Sequence, residues 1–112
     1  MIRFGVLGAA QITPAALIYP CMNEPLARVS VIAARDRNKA ETFASAHHIG
    51  TVCASYSDVV NHEKINALYN PLHISAHHPW TIAALKAGKH VLCEKSLACN
   101  AKEAREMNQV AK

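Results

Sequence analysis

Residues 2–13, IRFGVLGAAQIT, decide the fold, because a short and mostly apolar run ends in a glycine followed by small residues. Such a run, bounded by a turn signal, is typical of a parallel strand that is covered on both faces. A proline follows the loop at position 14, where it suits the first turn of a helix. The order of strand, tight turn and helix predicts the first unit of an alternating α/β domain.

The same alternation continues to the end of the chain. Further strands are predicted over 29–34, 51–54, 65–71 and 89–93, and helices over 14–23, 37–48 and 58–63, from His78-Pro79 to Gly88, and over 101–111. The predicted helix N-caps are Thr13, Asp36, Ser57 and Asn100, and Asn100 forms a capping box with Glu103. Strands that alternate with helices predict a Rossmann-type, doubly wound parallel sheet in three layers.

The composition fits one globular domain, residues 1–112. Apolar residues make up 51% of the chain and charged residues 18%, which argues against disorder. No apolar run approaches the ~20 residues of a membrane-spanning helix, and no signal peptide is visible, so we expect a cytoplasmic protein without membrane contact. The net charge of +4 suits a phosphate-bearing ligand, whereas the scattered Lys and Arg residues argue against a nucleic-acid partner.

The cysteine and histidine residues give no sign of a disulfide or a metal site. None of the four cysteines forms a CxxC pair, and none of the seven histidines has metal-ligand spacing with a carboxylate partner. We therefore expect reduced thiols and no metal. Cys93, beside Glu94 and Lys95, is a conceivable nucleophile, but a cysteine inside a strand is more often a packing residue. Trp80 is expected to pack its helix against the sheet.

The loop after the first strand occupies the position of a dinucleotide fingerprint, G-x-G-x-x-G. Only the first glycine is present, since Ala10 and Thr13 take the second and third positions. Small residues here let the backbone approach a pyrophosphate, and the next helix directs its free N–H groups at it. The expected cofactor contacts are Gly8, Ala9, Ala10, Gln11 and Ile12. A tight strand-to-helix turn without a ligand is the alternative.

Basic residues follow the second strand, where the ribose of a dinucleotide binds. An acidic residue at this point accepts hydrogen bonds from the 2′-hydroxyl of NAD, whereas an arginine accommodates the 2′-phosphate of NADP. Arg35 comes first, and Lys39 lies one helical turn further on. The pattern favours NADP over NAD, with Asp36 explained as a helix cap. A solvated charged loop is the alternative.

The second half of the chain resembles a known family. The stretch YNPL…S.H..WTIAALKAGKHVLCEK, together with the opening GVLGAAQITPAALI, is similar to the N-terminal domain of the Gfo/Idh/MocA oxidoreductases, which include glucose-fructose oxidoreductase and dimeric dihydrodiol dehydrogenase. The resemblance runs from residue 2 to the end, and AGKHVLCEK is its most specific part. It implies an NAD(P)-dependent enzyme that transfers hydride to or from a sugar, polyol or dihydrodiol.

The resemblance also implies roles for individual residues. Lys95 falls on the lysine of the family's E-K-P motif, which handles a proton or orients the substrate, so Lys95 is the catalytic candidate. Glu94 and Lys95 both fall beside the nicotinamide. Asn70, Pro71 and Leu72 fall on the family's segment that lines the cofactor crevice. His77 falls on the histidine that follows this segment in the family. Arg35 and Lys39 match the basic residues of NADP-using members.

Two departures and the length of the chain qualify this expectation. Ser96 stands where the family has proline, which predicts a trans peptide bond in place of a cis one, and Ile74 stands where asparagine is common. Family members carry a further C-terminal α/β domain with the substrate pocket, and we expect this chain to lack it. The isolated chain is then expected to be catalytically incomplete and to self-associate through uncovered apolar surface. A non-catalytic dinucleotide-binding module and an inactive truncated product are the alternatives.

Overall fold

A computed structural model of the protein describes residues 1–94 and 101–111. Five strands form one parallel sheet in the order β3-β2-β1-β4-β5. The strands are β1 (Ile2–Leu7), β2 (Ala27–Ala33), β3 (Thr51–Val52), β4 (Ala67–Asn70) and β5 (His90–Cys93). The strand order reverses on either side of β1, which makes the carboxyl end of β1 the switch point of the sheet. The predicted doubly wound sheet is confirmed.

The helices lie on both faces of this sheet. They are a π-helical turn (Pro14–Ile18) that continues into α1 (Tyr19–Met22), then α2 (Arg37–His47), α3 (Tyr56–Val60), a 3₁₀ turn (Ile74–Ala76) that continues into α4 (His77–Lys86), and α5 (Ala101–Ala111). One apolar cluster joins the sheet to α2 and to the π-helical turn. A second cluster joins it to α3 and α4. Because alternate side chains of each strand enter opposite clusters, the domain has the predicted three layers.

The predicted N-caps fare differently. The carboxylate of Asp36 accepts hydrogen bonds from the backbone N–H groups of Asn38 and Lys39, at 2.9 and 3.4 Å, so this prediction is confirmed. The prediction of Ser57 is wrong, because the hydroxyl of Ser55 accepts from Asp58 N–H at 3.1 Å and α3 begins two residues earlier. Asn100 lies outside the described residues.

Thr13 is not an N-cap either. Its backbone is already helical, at φ −58° and ψ −42°, and its hydroxyl makes no capping hydrogen bond. A capping residue has an extended backbone, which turns its side chain towards the first free N–H groups. Thr13 is instead fully buried beneath the loop after β1.

Gly88 and Lys89, within the AGKHV sequence, form the turn between α4 and β5. Gly88 has φ +81° and follows the end of α4. The N–H of Gly88 donates to the carbonyl of Leu85, and the N–H of Lys89 donates to that of Ala84, both at 3.0 Å, which is the Schellman pattern. The ammonium of Lys89 donates to the carbonyls of His62 and Ile65, at 2.9 and 2.8 Å. These residues therefore set the path into β5. Within residues 1–94 and 101–111, no helix is long and apolar enough to cross a membrane.

Candidate functional site

The loop after β1 begins at a glycine whose conformation and surroundings exclude a side chain. Gly8 has φ +81°, and a Cβ atom here would lie 3.0 Å from Cδ2 of Leu72 and 3.8 Å from the hydroxyl of Tyr56. Its N–H donates to the carbonyl of Ala33, at the end of β2, at 2.6 Å. The loop is therefore tied to β2 and covered by the segment after β4. This is the close packing that a fingerprint glycine provides.

The rest of the loop offers small residues and one orphan hydroxyl. Ala9 and Ala10 are half-buried, while Gln11 and Ile12 are exposed. The hydroxyl of Thr13 is buried and has no hydrogen-bond partner among the residues that the structure describes. Buried polar groups are rarely unpaired in native proteins. The first two residues after Gly8 are thus alanines, and the loop ends in a buried threonine.

The carboxyl end of β2 presents two exposed cations that line different clefts. Arg35 lies in a cleft of about 280 Å³ with Tyr56 and Trp80. Lys39, on the first turn of α2, lies in a neighbouring cleft of about 450 Å³ that reaches Ala9. The sequence predicted that both residues would serve one phosphate group. The structure keeps both side chains exposed, at the carboxyl end of β2 and on the first turn of α2.

Tyr56 and Trp80 are parts of the site that sequence reasoning missed or treated as packing. Their rings meet edge to face, with centroids 5.4 Å apart and planes at 88°. Both are half-buried and contact the apolar cluster on the α4 face, as expected for Trp80. They also line the Arg35 cleft. No spacing in the sequence connects a residue after β3 with one in α4, so only the fold reveals this pair.

The segment after β4 is fixed by two buried polar side chains. Asn70 accepts from the N–H of Leu72 at 3.3 Å, and its amide donates to the carbonyl of His77 and to the hydroxyl of Thr81, both at 3.3 Å. Nε2 of His77 lies 2.6 Å from the carbonyl of Leu72. Asn70 is fully buried and His77 is 1% exposed. Both side chains are therefore enclosed at the carboxyl end of β4, whereas Pro71 and Leu72 are half-buried.

The carboxyl end of β5 lies beside the end of β4. The N–H of Glu94 donates to the carbonyl of Asn70 at 3.1 Å, which extends the pairing of the two strands. The hydroxyl of Tyr69, on β4, is buried without a hydrogen bond inside the described ranges. Its burial, together with the nearby Glu94 carboxylate, raises the pKa of Tyr69 to about 12. Burial is the larger cause of this shift, and the Glu94 carboxylate adds to it. Lys95 and Ser96 lie outside the described residues.

The thiols have the properties of packing residues. Burial raises the pKa of the Cys21, Cys53 and Cys93 thiols, and each is half-buried and free. A raised pKa lowers the fraction of reactive thiolate. Among residues 1–94 and 101–111, no three His, Cys, Asp or Glu side chains cluster in a way that could bind a metal ion.

Comparison with known proteins agrees with this geometry. Residues 2–112 match the model of an oxidoreductase family with an NAD-binding Rossmann fold. A dTDP-3,4-didehydro-2,6-dideoxy-α-D-glucose 3-reductase of Streptomyces antibioticus is 35% identical over 111 residues, which are 99% of this chain and 34% of that protein. A trans-1,2-dihydrobenzene-1,2-diol dehydrogenase of Mus musculus is 39% identical over 80 residues, which are 71% of this chain and 24% of that protein.

A solved structure is similar as well. The 3-ketoreductase of Actinomadura kijaniata, crystallised with NADP and TDP-benzene, superposes with a TM-score of 0.91 at 34% identity, covering 98% of this chain and 34% of that one. The chain thus spans about a third of the length of the relatives it matches. A family match along almost the whole chain and the five-stranded parallel sheet lead to one conclusion. The protein belongs to the Gfo/Idh/MocA oxidoreductase family and contains its NAD-binding Rossmann fold.

Proposed function

We propose that the chain is the NADP-binding part of an oxidoreductase that moves hydride between nicotinamide and a sugar, polyol or dihydrodiol. The observation that carries this proposal is the position of Arg35. Its side chain is exposed in a cleft at the carboxyl end of β2, while the adjacent Asp36 carboxylate is occupied in capping α2. A guanidinium whose neighbouring carboxylate is bound to the helix start suits a 2′-phosphate.

The other described residues fit the remaining parts of the cofactor. The residues at the start of the loop suit the pyrophosphate, because they are small. Gly8 has no side chain, and a Cβ there would contact Leu72. The next two residues, Ala9 and Ala10, carry only methyl groups. The Arg35 cleft, with the rings of Tyr56 and Trp80, suits the adenosine. Pro71, Leu72 and Glu94, at the ends of β4 and β5, suit the nicotinamide side. The related 3-ketoreductase was crystallised with NADP, which supports NADP as the cofactor.

The chemistry divides between cofactor and protein. NADPH or NADP supplies or accepts the hydride when it is bound. Lys95, directly after Glu94, is the residue that we propose moves a proton at the substrate oxygen or orients that oxygen. The substrates of the relatives, a dTDP-linked sugar and a dihydrodiol, support a hydroxyl or ketone as the reacting group.

A cofactor titration tests the proposal. Trp80 is the only tryptophan and lies in the Arg35 cleft, so its fluorescence should respond to NADPH and NADH. NADPH should bind more tightly, and Arg35→Ala should lower its affinity by roughly 10- to 100-fold, since a hydrogen bond to a charged group contributes about 1.5–3 kcal/mol. Arg28→Ala, at the exposed amino end of the same strand, is the matched control. Equal affinities for both cofactors would contradict the proposal.

A non-catalytic NADP-binding module is the second candidate. Ser96 favours it, because this residue replaces the proline of the family's catalytic motif next to Lys95. Incubation with NADP and a panel of sugars, polyols and dihydrodiols separates the two candidates. Formation of NADPH identifies an enzyme. Cofactor binding without any NADPH formation identifies the module.

A further inference from the structure

A closed network of hydrogen bonds fixes Leu72. Its N–H is held by the side chain of Asn70, and its carbonyl by Nε2 of His77, at 3.3 and 2.6 Å. Because a carbonyl oxygen only accepts hydrogen bonds, Nε2 of His77 carries the proton. Asn70 also bonds the backbone of His77 at 3.3 Å. The end of β4, the following loop and the start of α4 thus form one rigid unit.

The side chain of Leu72 reaches from this unit to the loop after β1. Cδ2 of Leu72 lies 3.0 Å from the position that a Cβ of Gly8 would occupy. The backbone of Gly8 is fixed on its other side by its bond to Ala33. Gly8 therefore lies between β2 and the side chain of Leu72. A shift of Leu72 would remove one of the two contacts that set the turn.

We propose that His77 is a positioning residue for the loop after β1. It acts through Leu72 and does not itself touch the cofactor. The proposal rests on the NADP-binding function proposed above. Only 1% of the surface of His77 is exposed, but its bond to the Leu72 carbonyl holds the segment whose Leu72 side chain lies against Gly8. The loss of that bond leaves a buried carbonyl without its donor, and the segment is expected to relax away from Gly8.

Substitutions that keep or remove the donor at Nε2 test this role. In His77→Gln, the side-chain amide can present an N–H near the position of Nε2, whereas His77→Leu presents none. His77→Leu should weaken NADPH binding by roughly 10-fold, and His77→Gln should restore most of the affinity. Leu72→Ala should weaken binding similarly while leaving His77 intact. His90→Leu, at an exposed histidine of β5, should bind like the wild type. The emission of bound NADPH is the readout.

A second readout follows the loop directly. The chain has four glycines, so selective ¹⁵N-glycine labelling gives four backbone resonances. The Gly8 resonance should shift in His77→Leu and Leu72→Ala and return towards its wild-type position in His77→Gln. Gly50 and Gly88, which have nothing within 4 Å of a Cβ position, are internal references. If His77→Leu does not fold, Leu72→Ala and His77→Gln still give the comparison.

The outcomes separate this proposal from the one on which it rests. A wild-type chain that binds no NADPH refutes the proposed function, and the Gly8 resonance then decides the role of His77 alone. An unshifted Gly8 resonance in His77→Leu overturns the positioning role. Equal losses of affinity in His77→Gln and His77→Leu, without a difference at Gly8, overturn it as well, because the donor would then be irrelevant.

Discussion

Nε2 of His78, on α4, lies 3.1 Å from a carboxylate oxygen of Glu106, on α5. Nδ1 of the same imidazole lies 3.9 Å from the carboxylate of Glu103, one turn earlier. All three side chains are partly buried. The last helix described is therefore joined to α4 by polar contacts, in addition to the buried side chain of Met107.

His78→Ala should loosen α5 without unfolding the sheet. Partly exposed ion pairs contribute up to about 1 kcal/mol, so the global free energy of unfolding should fall by no more than about that amount. Hydrogen exchange should rise selectively in 101–111. Arg37→Ala, which removes the exposed ion pair with Glu41, is the control and should leave α5 unchanged. Unaltered exchange of α5 in His78→Ala would show that packing alone secures this helix.

Gly8→Ala should destabilise the protein and impair cofactor binding. The left-handed backbone costs a non-glycine residue about 1–2 kcal/mol, and the new methyl group would press on Leu72. Gly50→Ala is the matched control, because no atom lies within 4 Å of that Cβ position. Urea unfolding should show a lower midpoint for Gly8→Ala only. Equal midpoints for the two variants would disprove the tight packing at Gly8.

Substitutions of Asp36 should separate capping from charge. Asp36→Ala removes the cap of α2 and should cost about 1 kcal/mol of stability. Asp36→Asn keeps a good capping side chain but removes a negative charge next to Arg35, so stability should be retained and NADPH affinity should rise. Thermal melts and cofactor titrations on both variants measure the two effects. Weaker NADPH binding by Asp36→Asn would indicate that the carboxylate contacts the ribose.

Tyr69 should make the protein sensitive to alkaline pH. Its pKa is raised from 10.0 to about 12 in the folded state, so the folded phenol stays protonated while the unfolded one ionises. The contribution to stability is complete below pH 10 and is lost as the pH rises to about 12. Tyr69→Phe has no phenol to ionise, so its free energy of unfolding should not show this decrease between pH 10 and about 12. The difference between the two unfolding curves, recorded from pH 8 upwards, tests the sign.

Self-association remains a prediction. β5 is an edge strand of the described sheet, and its Leu92 is 46% exposed. Ile2, at the start of β1, is 48% exposed. Exposed edges with apolar side chains favour association. Sedimentation velocity should show a concentration-dependent shift that Leu92→Lys reduces, whereas Met22→Lys, at a highly exposed helical position, should not. A monomer at all concentrations would contradict the prediction.

The strands could be predicted because their signal is local. Runs such as 2–7 and 29–34 are apolar without polar alternation, and all five predicted strands exist, with no end shifted by more than two residues. Helix starts were harder, because several Ser and Thr residues compete for each cap. Ser55 caps α3 where Ser57 was predicted, and Thr13 is buried, with a helical backbone, just before the π-helical turn. Tertiary packing decides between such residues, and the sequence does not display it.

The site was predictable only as a set of strand ends. Gly8, Arg35 and Glu94 follow strands and Asn70 ends one, and the parallel sheet brings those strand ends to one edge. What each side chain does there depends on its partners. His77 was assigned to the cofactor crevice, and its imidazole binds a backbone carbonyl. Arg35 lines a cleft with Tyr56 and Trp80, whereas Lys39 lines one with Ala9. Long-range contacts of this kind leave no pattern in the chain.

The contact of Leu72 with Gly8 can form only late in synthesis of the chain. The two residues are separated by more than half the chain, and β1 must pair with β4 before they can meet. At about 5–20 residues per second, a ribosome needs roughly 3–13 s to make the intervening segment. During that interval the nascent chain carries its fingerprint residues without the side chain that covers them. Cofactor added to stalled nascent chains should therefore be retained only when the stall lies well beyond position 72.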